Sequence, residues 1–459
     1  MVVGEIAESI DLLVIGGGPG GYTAALEAAA LGRTVTLVDR DGPAGLGGVC
    51  LRVGCIPSKA LIEVAELRSR YAALAVAGLR GVVEPFDMGA FQAWKDAIVA
   101  RLTGGVAGLL KAAGVTILTG GFRFLGARRG VVDAGGTTPP QFLEFTDAVI
   151  ATGSTPRALP RLVRDGVHIL DSTDVLGLTA LPSSVAVVGG GYIGVELGTA
   201  LRKLGSAVTI VEAQESLLPG LPSEVVTPVR KRLSALGVDV RTGTSVAGVE
   251  QDELVLAGAG AGAVPAEVVV VAIGRRPNTD DLGLADAGIQ VGADGLLAVG
   301  PDRIVVPHIA AIGDVTAGPA LAHKATAEAR VAVAALSGRR VAFEPATIPM
   351  VVYSDPEIAI TGAMGIDQSR QASVRRPFAA SGRALTTGDP TGFVRMAAMP
   401  DGGPVTGVHI VGPHASELIS EAVLAIEMAA SPEDVWSTIH PHPTLAEAIA
   451  DVALDLRSS

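Results

Sequence analysis

The chain has 459 residues, 49% of them hydrophobic, which is enough to bury a large core and build about three domains of ordinary size. Its formal net charge of -12 leaves no basic excess to replace counterions on phosphates and argues against nucleic-acid binding. No apolar run reaches the roughly 18 residues of a membrane span, and Glu5, Glu8 and Asp11 precede the first apolar run, so neither a span nor a secretory leader is expected and a cytoplasmic location is.

Taken in order, the chain opens with a short apolar strand, Leu12 to Ile15, that runs into Gly16-Gly17-Gly18-Pro19-Gly20-Gly21. An alanine-rich helical stretch from Tyr22 to Leu31 follows, closed by Gly32, and then a second strand, Thr34 to Val38, that ends at Asp39. Strand, glycine turn, helix, strand and acid predict a dinucleotide fold. Gly16 permits the turn, Gly18 lets the backbone approach a pyrophosphate at the helix N-terminus, Gly21 keeps helix and strand close, and Asp39 reaches a ribose.

Residues 47–61 read GGVCLRVGCIPSKAL and hold both cysteines of the chain, Cys50 and Cys55. Two thiols so close together in a long chain point to redox chemistry rather than to a disulfide framework. Pro57 suits the first position of a helix whose apolar spacing runs from Ser58 to Leu67. Both sulfurs are therefore expected at or just before a helix N-terminus, where the dipole favours a thiolate. Taken alone, the pair also fits two buried inert thiols, or half of the roughly four ligands of a zinc site. Cys50 lies 11 residues after Asp39 (50 minus 39), so the dithiol belongs to the first dinucleotide fold.

The pattern GG-x-C-L-x-V-GC-IPSKAL closely resembles the redox motif of the dihydrolipoamide dehydrogenases, within the flavin-dependent pyridine nucleotide-disulfide oxidoreductases. The resemblance implies that Cys50 is the interchange thiol that meets the substrate, that Cys55 faces a flavin, and that Lys59 lies close to the flavin's reactive nitrogen. FAD is then the cofactor of the first fold, held by Gly16, Gly18, Gly21, Asp39 and Lys59.

Further along, Ala60 to Leu74 and Met88 to Lys111 read as helices, and the Gly/Thr/Pro-rich stretch at 135–140 as a turn between strands. A strand, Asp147 to Ile150, enters Ala151-Thr152-Gly153-Ser154-Thr155-Pro156, which resembles the family's crossing into a second nucleotide domain; by that likeness Thr152 and Gly153 touch the cofactor. The first pattern then repeats as Ser184 to Val188, Gly189, Gly191 and Gly194, a helix to Leu204, Val208 to Val211, and Glu212. The acid again stands 18 residues after the third glycine (212 minus 194, as 39 minus 21), and the offset of 173 from Gly16 to Gly189 marks a duplicated fold. Glu212 suits a ribose diol and repels a 2'-phosphate, and no Lys or Arg occurs between it and Arg230, so the second site is assigned to NAD.

Glu196, on the helix of the repeat, reads by itself as a surface charge; by resemblance it pairs with Lys59. Tyr192 occupies a position where the related glutathione reductases place a tyrosine over the nicotinamide pocket. Val268 to Ile273 is a buried-strand pattern leading to Gly274, the resembled return towards the flavin domain. Ile304 to Ile312 reads as one apolar strand ending at Gly313-Asp314, and the family aspartate at this place bonds the flavin's ribityl chain. Leu321-Ala322-His323-Lys324-Ala325 opens a helix to about Leu336, and the resemblance turns its N-terminus, at Ala322, towards the flavin's pyrimidine edge.

From about Pro345 the pattern changes to strands at Pro349 to Tyr353, Ile358 to Thr361 and Thr406 to Val411, with a helix through Glu417 to Ala430. In His440-Pro441-His442-Pro443-Thr444-Leu445-Ala446-Glu447 the prolines exclude a helix before Pro443, which can itself start one, and Glu447 falls on its first turn, within reach of His442. A carboxylate there orients an imidazole as a base for thiols. Two alternating histidines also fit metal ligands or unspecific surface positions. The family pattern H-x-H-P-T-x-x-E makes His442 the acid-base catalyst, Glu447 its partner and His440 a supporting residue.

The chain is thus expected to be α/β, with two Rossmann-like dinucleotide-binding domains plus a C-terminal α+β dimerisation domain. The FAD-binding part spans 1–150, completed by about 275–344; NAD binds in 151–274; the interface domain spans 345–459. The resemblance implies a homodimer that oxidises dihydrolipoamide through a Cys50–Cys55 disulfide and reduces NAD+, serving lipoyl domains of 2-oxoacid dehydrogenase or glycine cleavage complexes, with no metal. The rival readings are an NADH-dependent reductase of another small disulfide and a flavoprotein assembly subunit.

Overall fold

The computed structural model describes residues 7–81, 84–365 and 370–457; Glu5 of the acidic N-terminal stretch lies outside them. The chain divides into two compact units. One takes the residues up to Ser58 with Gly89–Arg157 and Arg275–Glu344; the other takes Lys59–Met88, Ala158–Gly274 and the residues from Pro345 onward.

The first unit is organised by a parallel sheet. Its strands run side by side in the order Ile309–Ala311, Gln141–Ile150, Glu8–Ile15, Val35–Asp39 and Thr116–Thr119. Successive side chains of the first strand point to opposite faces, and both faces are covered. Leu12 and Val14 join a core with Ala24, Ala25 and Ala28 of the helix Pro19–Ala30, whereas Leu13 and Ile15 join one with Phe124, Phe145 and Ile150. Phe124 is fully buried and meets Phe122 edge-on at 4.8 Å, an arrangement aromatic rings favour. Helix Pro19–Ala30 starts at Pro19, three residues before the expected Tyr22, because proline loses nothing at a first helical position. The apolar run from Ile304 to Ile312 is not one strand but an antiparallel hairpin, Ile304–Val306 against Ile309–Ala311. Pro307 has no NH to give a ladder and His308 turns the chain at φ 71°.

The second unit holds another parallel sheet, in the order Asp239–Arg241, Ala207–Val211, Ser184–Val188, Val268–Val271 and Ile169–Asp171. Every residue of Val268–Val271 is buried, as a continuous apolar run in a doubly covered sheet requires. The helix Tyr192–Leu204 buries nine of its 13 residues and ends at Gly205, as its apolar spacing predicts. The residues from Pro345 onward form an antiparallel five-stranded sheet, Met350–Val352, Ile358–Gly362, Val405–Val411, Phe393–Ala398 and Ala372–Pro377, with the helices Ala415–Glu427 and Glu447–Arg457 packed on its core. The fold is α/β with a mixed C-terminal part. Among the described residues no helix is long and apolar enough to cross a membrane.

Candidate active site

In the first unit the two sulfurs are brought close together by a broken helix. Cys50 is the third residue of Gly48–Val53 and half-buried; Cys55 opens Cys55–Ala73 and is exposed. Helix formation thus begins two residues before the expected Pro57, which sits inside the first turn, where an amide proton has no intrahelical acceptor to lose. Ser58 donates its amide to Gly54 O and its hydroxyl to Cys55 O, at 2.9 and 3.1 Å, tying the new helix to the break.

This segment is seated on the glycine turn. Gly47 donates its amide to Gly17 O at 2.9 Å, and a Cβ on Gly48 would stand 2.7 Å from Gly18 Cα, so only glycines let the two backbones meet. Below it, burial and then the negative charge of Cys50 push the Tyr22 phenol up. Sequence reasoning passed over Tyr22, whose only signal is its place on the helix that starts at this turn.

The same turn has the features of a dinucleotide cradle. Gly18 caps its helix without any side-chain acceptor, which leaves first-turn amides for an outside anion. A Cβ on Gly21 would lie 1.8 Å from Gly16 O, so helix and strand touch there. Asp39 takes the Gly17 amide on Oδ2 at 2.8 Å and the Asp41 amide on Oδ1 at 3.0 Å, and a carboxylate has further lone pairs for a ribose. Two segments far apart in sequence also meet in this unit: Thr152 Oγ1 donates to Asn278 O at 2.7 Å and Asn278 Nδ2 to Thr152 O at 2.9 Å, beside Gly153. Asp314 accepts from Ser154 Oγ at 2.5 Å, and Ser154 in turn accepts from Arg275 Nε at 2.7 Å. Ala322 is the first residue of its helix, Ala322–Leu336.

The second unit repeats the cradle. Gly194 would bring a Cβ within 1.9 Å of Gly189 O, and Gly191 caps the helix with no side-chain acceptor and open space where a Cβ would be. Glu212, buried, takes the Gly190 amide on Oε2 at 2.6 Å and the Gln214 amide on Oε1 at 2.8 Å. Gly274 adopts φ 107° after the strand Val268–Val271. Tyr192 opens the helix and is exposed. Both sets of residues therefore fit a bound dinucleotide.

Two charged pairs complete the picture in this unit. Lys59 Nζ donates to Glu196 Oε2 at 2.7 Å, with Glu196 almost fully buried. At the far end of the chain His442 Nδ1 lies 2.8 Å from Glu447 Oε1, while Glu447 Oε2 accepts the Thr444 amide at 2.7 Å. The Thr444 amide first, and His442 second, hold the Glu447 carboxyl below its ordinary range. The helix starts at Glu447 itself rather than at Pro443, and the intervening residues form the turn that aims the carboxylate back at the imidazole. The His442 side chain is 82% exposed, whereas that of His440 is 8% exposed and lies between Glu421 Oε1 and Thr438 O, both at 2.8 Å. Sequence reasoning missed Thr444 as the group that orients Glu447, and Ser154 and Arg275 as those that orient Asp314.

Residues 10–329 match the family described as pyridine nucleotide-disulphide oxidoreductase, and residues 348–453 match its dimerisation domain. A dihydrolipoyl dehydrogenase of Geobacillus stearothermophilus is 42% identical, the match covering 99% of this chain and 97% of that one. The Bacillus subtilis dihydrolipoyl dehydrogenase is 40% identical over 99% of this chain and 97% of its own. Among solved structures, LpdA from Mycobacterium tuberculosis superposes with a TM-score of 0.88 at 28% identity, covering 97% of this chain and all of that one. The HOCl-induced flavoprotein disulfide reductase RclA from Escherichia coli, at 23% identity, 97% and 99% coverage and a TM-score of 0.85, shares the fold. The chain belongs to the pyridine nucleotide-disulphide oxidoreductase family, among relatives of the dihydrolipoyl dehydrogenase kind.

Proposed function

We infer that the protein oxidises dihydrolipoamide to lipoamide and reduces NAD+, two thiols giving one disulfide, one NADH and one proton. The observation that carries this reading is the seating of the Cys50/Cys55 segment directly on the glycine turn of the first dinucleotide fold. A dithiol in that position exchanges electrons with that fold's own cofactor.

In this reading Gly16, Gly18, Gly21, Asp39, Thr152, Gly153, Asp314 and Ala322 hold FAD, and Gly189, Gly191, Gly194, Glu212 and Gly274 hold NAD. FAD, when bound, supplies a two-electron carrier between dithiol and nicotinamide. The rest of the chemistry belongs to the chain. His442, held by Glu447, takes a proton from a dihydrolipoyl thiol, and the thiolate attacks Cys50 Sγ, breaking the Cys50–Cys55 bond and releasing Cys55 as a thiolate. The second substrate thiol then displaces Cys50, leaving lipoamide as the disulfide and both cysteines reduced. Lys59, paired with Glu196 at 2.7 Å, would supply a positive charge to the flavin.

The exposure of His442 supports its use by another molecule, and we propose a homodimer in which each protomer's His442–Glu447 pair serves the other's dithiol. The substrate is proposed to be lipoyl domains of a 2-oxoacid dehydrogenase or glycine cleavage complex, in the cytoplasm. The division into an FAD part (1–150, completed by 275–344), an NAD part (151–274) and an interface part (345–459) belongs to the same proposal.

The purified yellow protein should reduce NAD+ with dihydrolipoamide and, in reverse with NADH, prefer lipoamide to glutathione disulfide. His442→Gln should lower the forward rate about 10²–10⁴-fold. Equal or better turnover of glutathione disulfide overturns the substrate assignment.

A further inference from the structure

We propose that Tyr353 is a positioning residue that holds the Lys59 ammonium in one direction, a role that rests on Lys59 working beside the flavin. The two oxygens of Glu196 have separate duties: Oε2 accepts from Lys59 Nζ at 2.7 Å, and Oε1 accepts from the Tyr353 amide at 2.9 Å. The same Lys59 Nζ lies 4.4 Å from the centroid of the Tyr353 ring. Lysine, carboxylate and tyrosine thus close a triangle in which the tyrosine acts twice, through its backbone on the carboxylate and through its ring on the cation.

The geometry matters because lysine carries its charge on a flexible four-carbon stem, and one ion pair leaves the ammonium free to swing about the carboxylate. A ring face within about 6 Å attracts the cation and removes that freedom. Lys59 needs such a restraint, since its side chain is 31% exposed while that of Glu196 is only 4% exposed.

Tyr353 is itself anchored. Its backbone directly follows the strand Met350–Val352, which pairs with Ile358–Gly362.

The test uses holoenzyme with lysines reductively methylated by ¹³C-formaldehyde, which keeps their charge, and Lys59 assigned through Lys59→Arg. In the unaltered enzyme and in Tyr353→Phe, the Lys59 methyl signals should lie upfield by the ring current. In Tyr353→Leu, or in Tyr353→Met should the leucine variant not fold, that shift should vanish. Flavin reduction by dihydrolipoamide should slow about fivefold in the leucine or methionine variant, stay within about twofold in Tyr353→Phe, and leave the KM for NAD+ unchanged. An upfield shift that survives removal of the ring overturns the proposal. A lost shift with an unaltered rate of flavin reduction upholds the clamp and counts instead against Lys59 acting at the flavin.

Discussion

The two glycine-turn folds use one frame for different loads. In each, the carbonyl of the middle glycine accepts an amide from the segment beyond the acid: Gly17 O from Gly47 at 2.9 Å, and Gly190 O from Leu218 at 2.8 Å. In each, the acid clamps the amide of that same glycine, Asp39 on Gly17 and Glu212 on Gly190. What arrives at that place differs. In the first fold it is the segment bearing Cys50 and Cys55; in the second it is an apolar loop whose Leu217 side chain fills the space a Cβ on Gly190 would take. The helices differ in the same way. The first is alanine-rich and packs its small residues into the core, whereas the second carries Glu196 and Lys203 where the offset of 173 puts Thr23 and Ala30 in the first. A duplicated binding frame thus acquires redox chemistry from a broken helix and electrostatic anchors from a continuous one, with the nucleotide cradle unchanged.

The largest test of that contrast removes the load from the first fold alone. Cys50→Ser or Cys55→Ser should abolish lipoamide turnover by more than about 10³-fold, because an alkoxyl cannot form or leave a disulfide. Both proteins should stay yellow. Turnover by steady-state assay and the visible spectrum check this together, and undiminished activity would break the comparison.

A smaller effect addresses the frame of the second fold. Glu212→Ala removes the acceptor of the Gly190 and Gln214 amides and the group proposed to meet the ribose. It should raise the KM for NAD+ about tenfold, in line with losing one or two charge-assisted hydrogen bonds, and narrow the preference over NADP+. The half-reaction between dihydrolipoamide and the protein should be unaffected, measured by single turnover without nucleotide.

The smallest effect concerns the helix anchors. Asp355 is pushed up by burial, but the neighbouring charges and hydrogen bonds of Lys203 and Arg232 win and hold it below its ordinary value. Lys203 lies 2.6 Å from it and is itself buried, with Glu66 as a second partner. A carboxyl with a depressed folded-state value adds stability above its unfolded value, about pH 4, and that contribution is lost as pH falls through the folded value. The thermal midpoint should therefore drop on acidification below about pH 4, and Asp355→Asn should flatten that slope while costing about 2 kcal/mol at neutral pH, because it removes charge-assisted bonds from Lys203 and Arg232 while Lys203 keeps Glu66.

Much of this is legible in the chain itself. Gly16, Gly18, Gly21 and Asp39, and their repeat at Gly189, Gly191, Gly194 and Glu212, belong to a turn and a strand end of their own neighbourhood, so their spacing within a strand-turn-helix pattern points to them. His442 and Glu447 stand five residues apart and meet through one turn. The hairpin at Ile304–Ala311 reads in the sequence as a single strand because its apolarity outweighs the signal of Pro307.

Other parts had no local signal. Ser154 reaches Asp314 across 160 residues and Arg275 across 121, and the Glu196 carboxylate takes the Tyr353 amide from 157 positions away. Contacts of that span depend on sheet register and helix packing rather than on any pattern in the residues between. Local spacing, then, decided that the chain carries two nucleotide turns and a dithiol, because backbone sterics and helix geometry act over a few residues. Packing alone decided which distant side chains aim Asp314, Glu196 and Lys59, because a side chain's neighbours across a fold are set only when the whole core has closed around them.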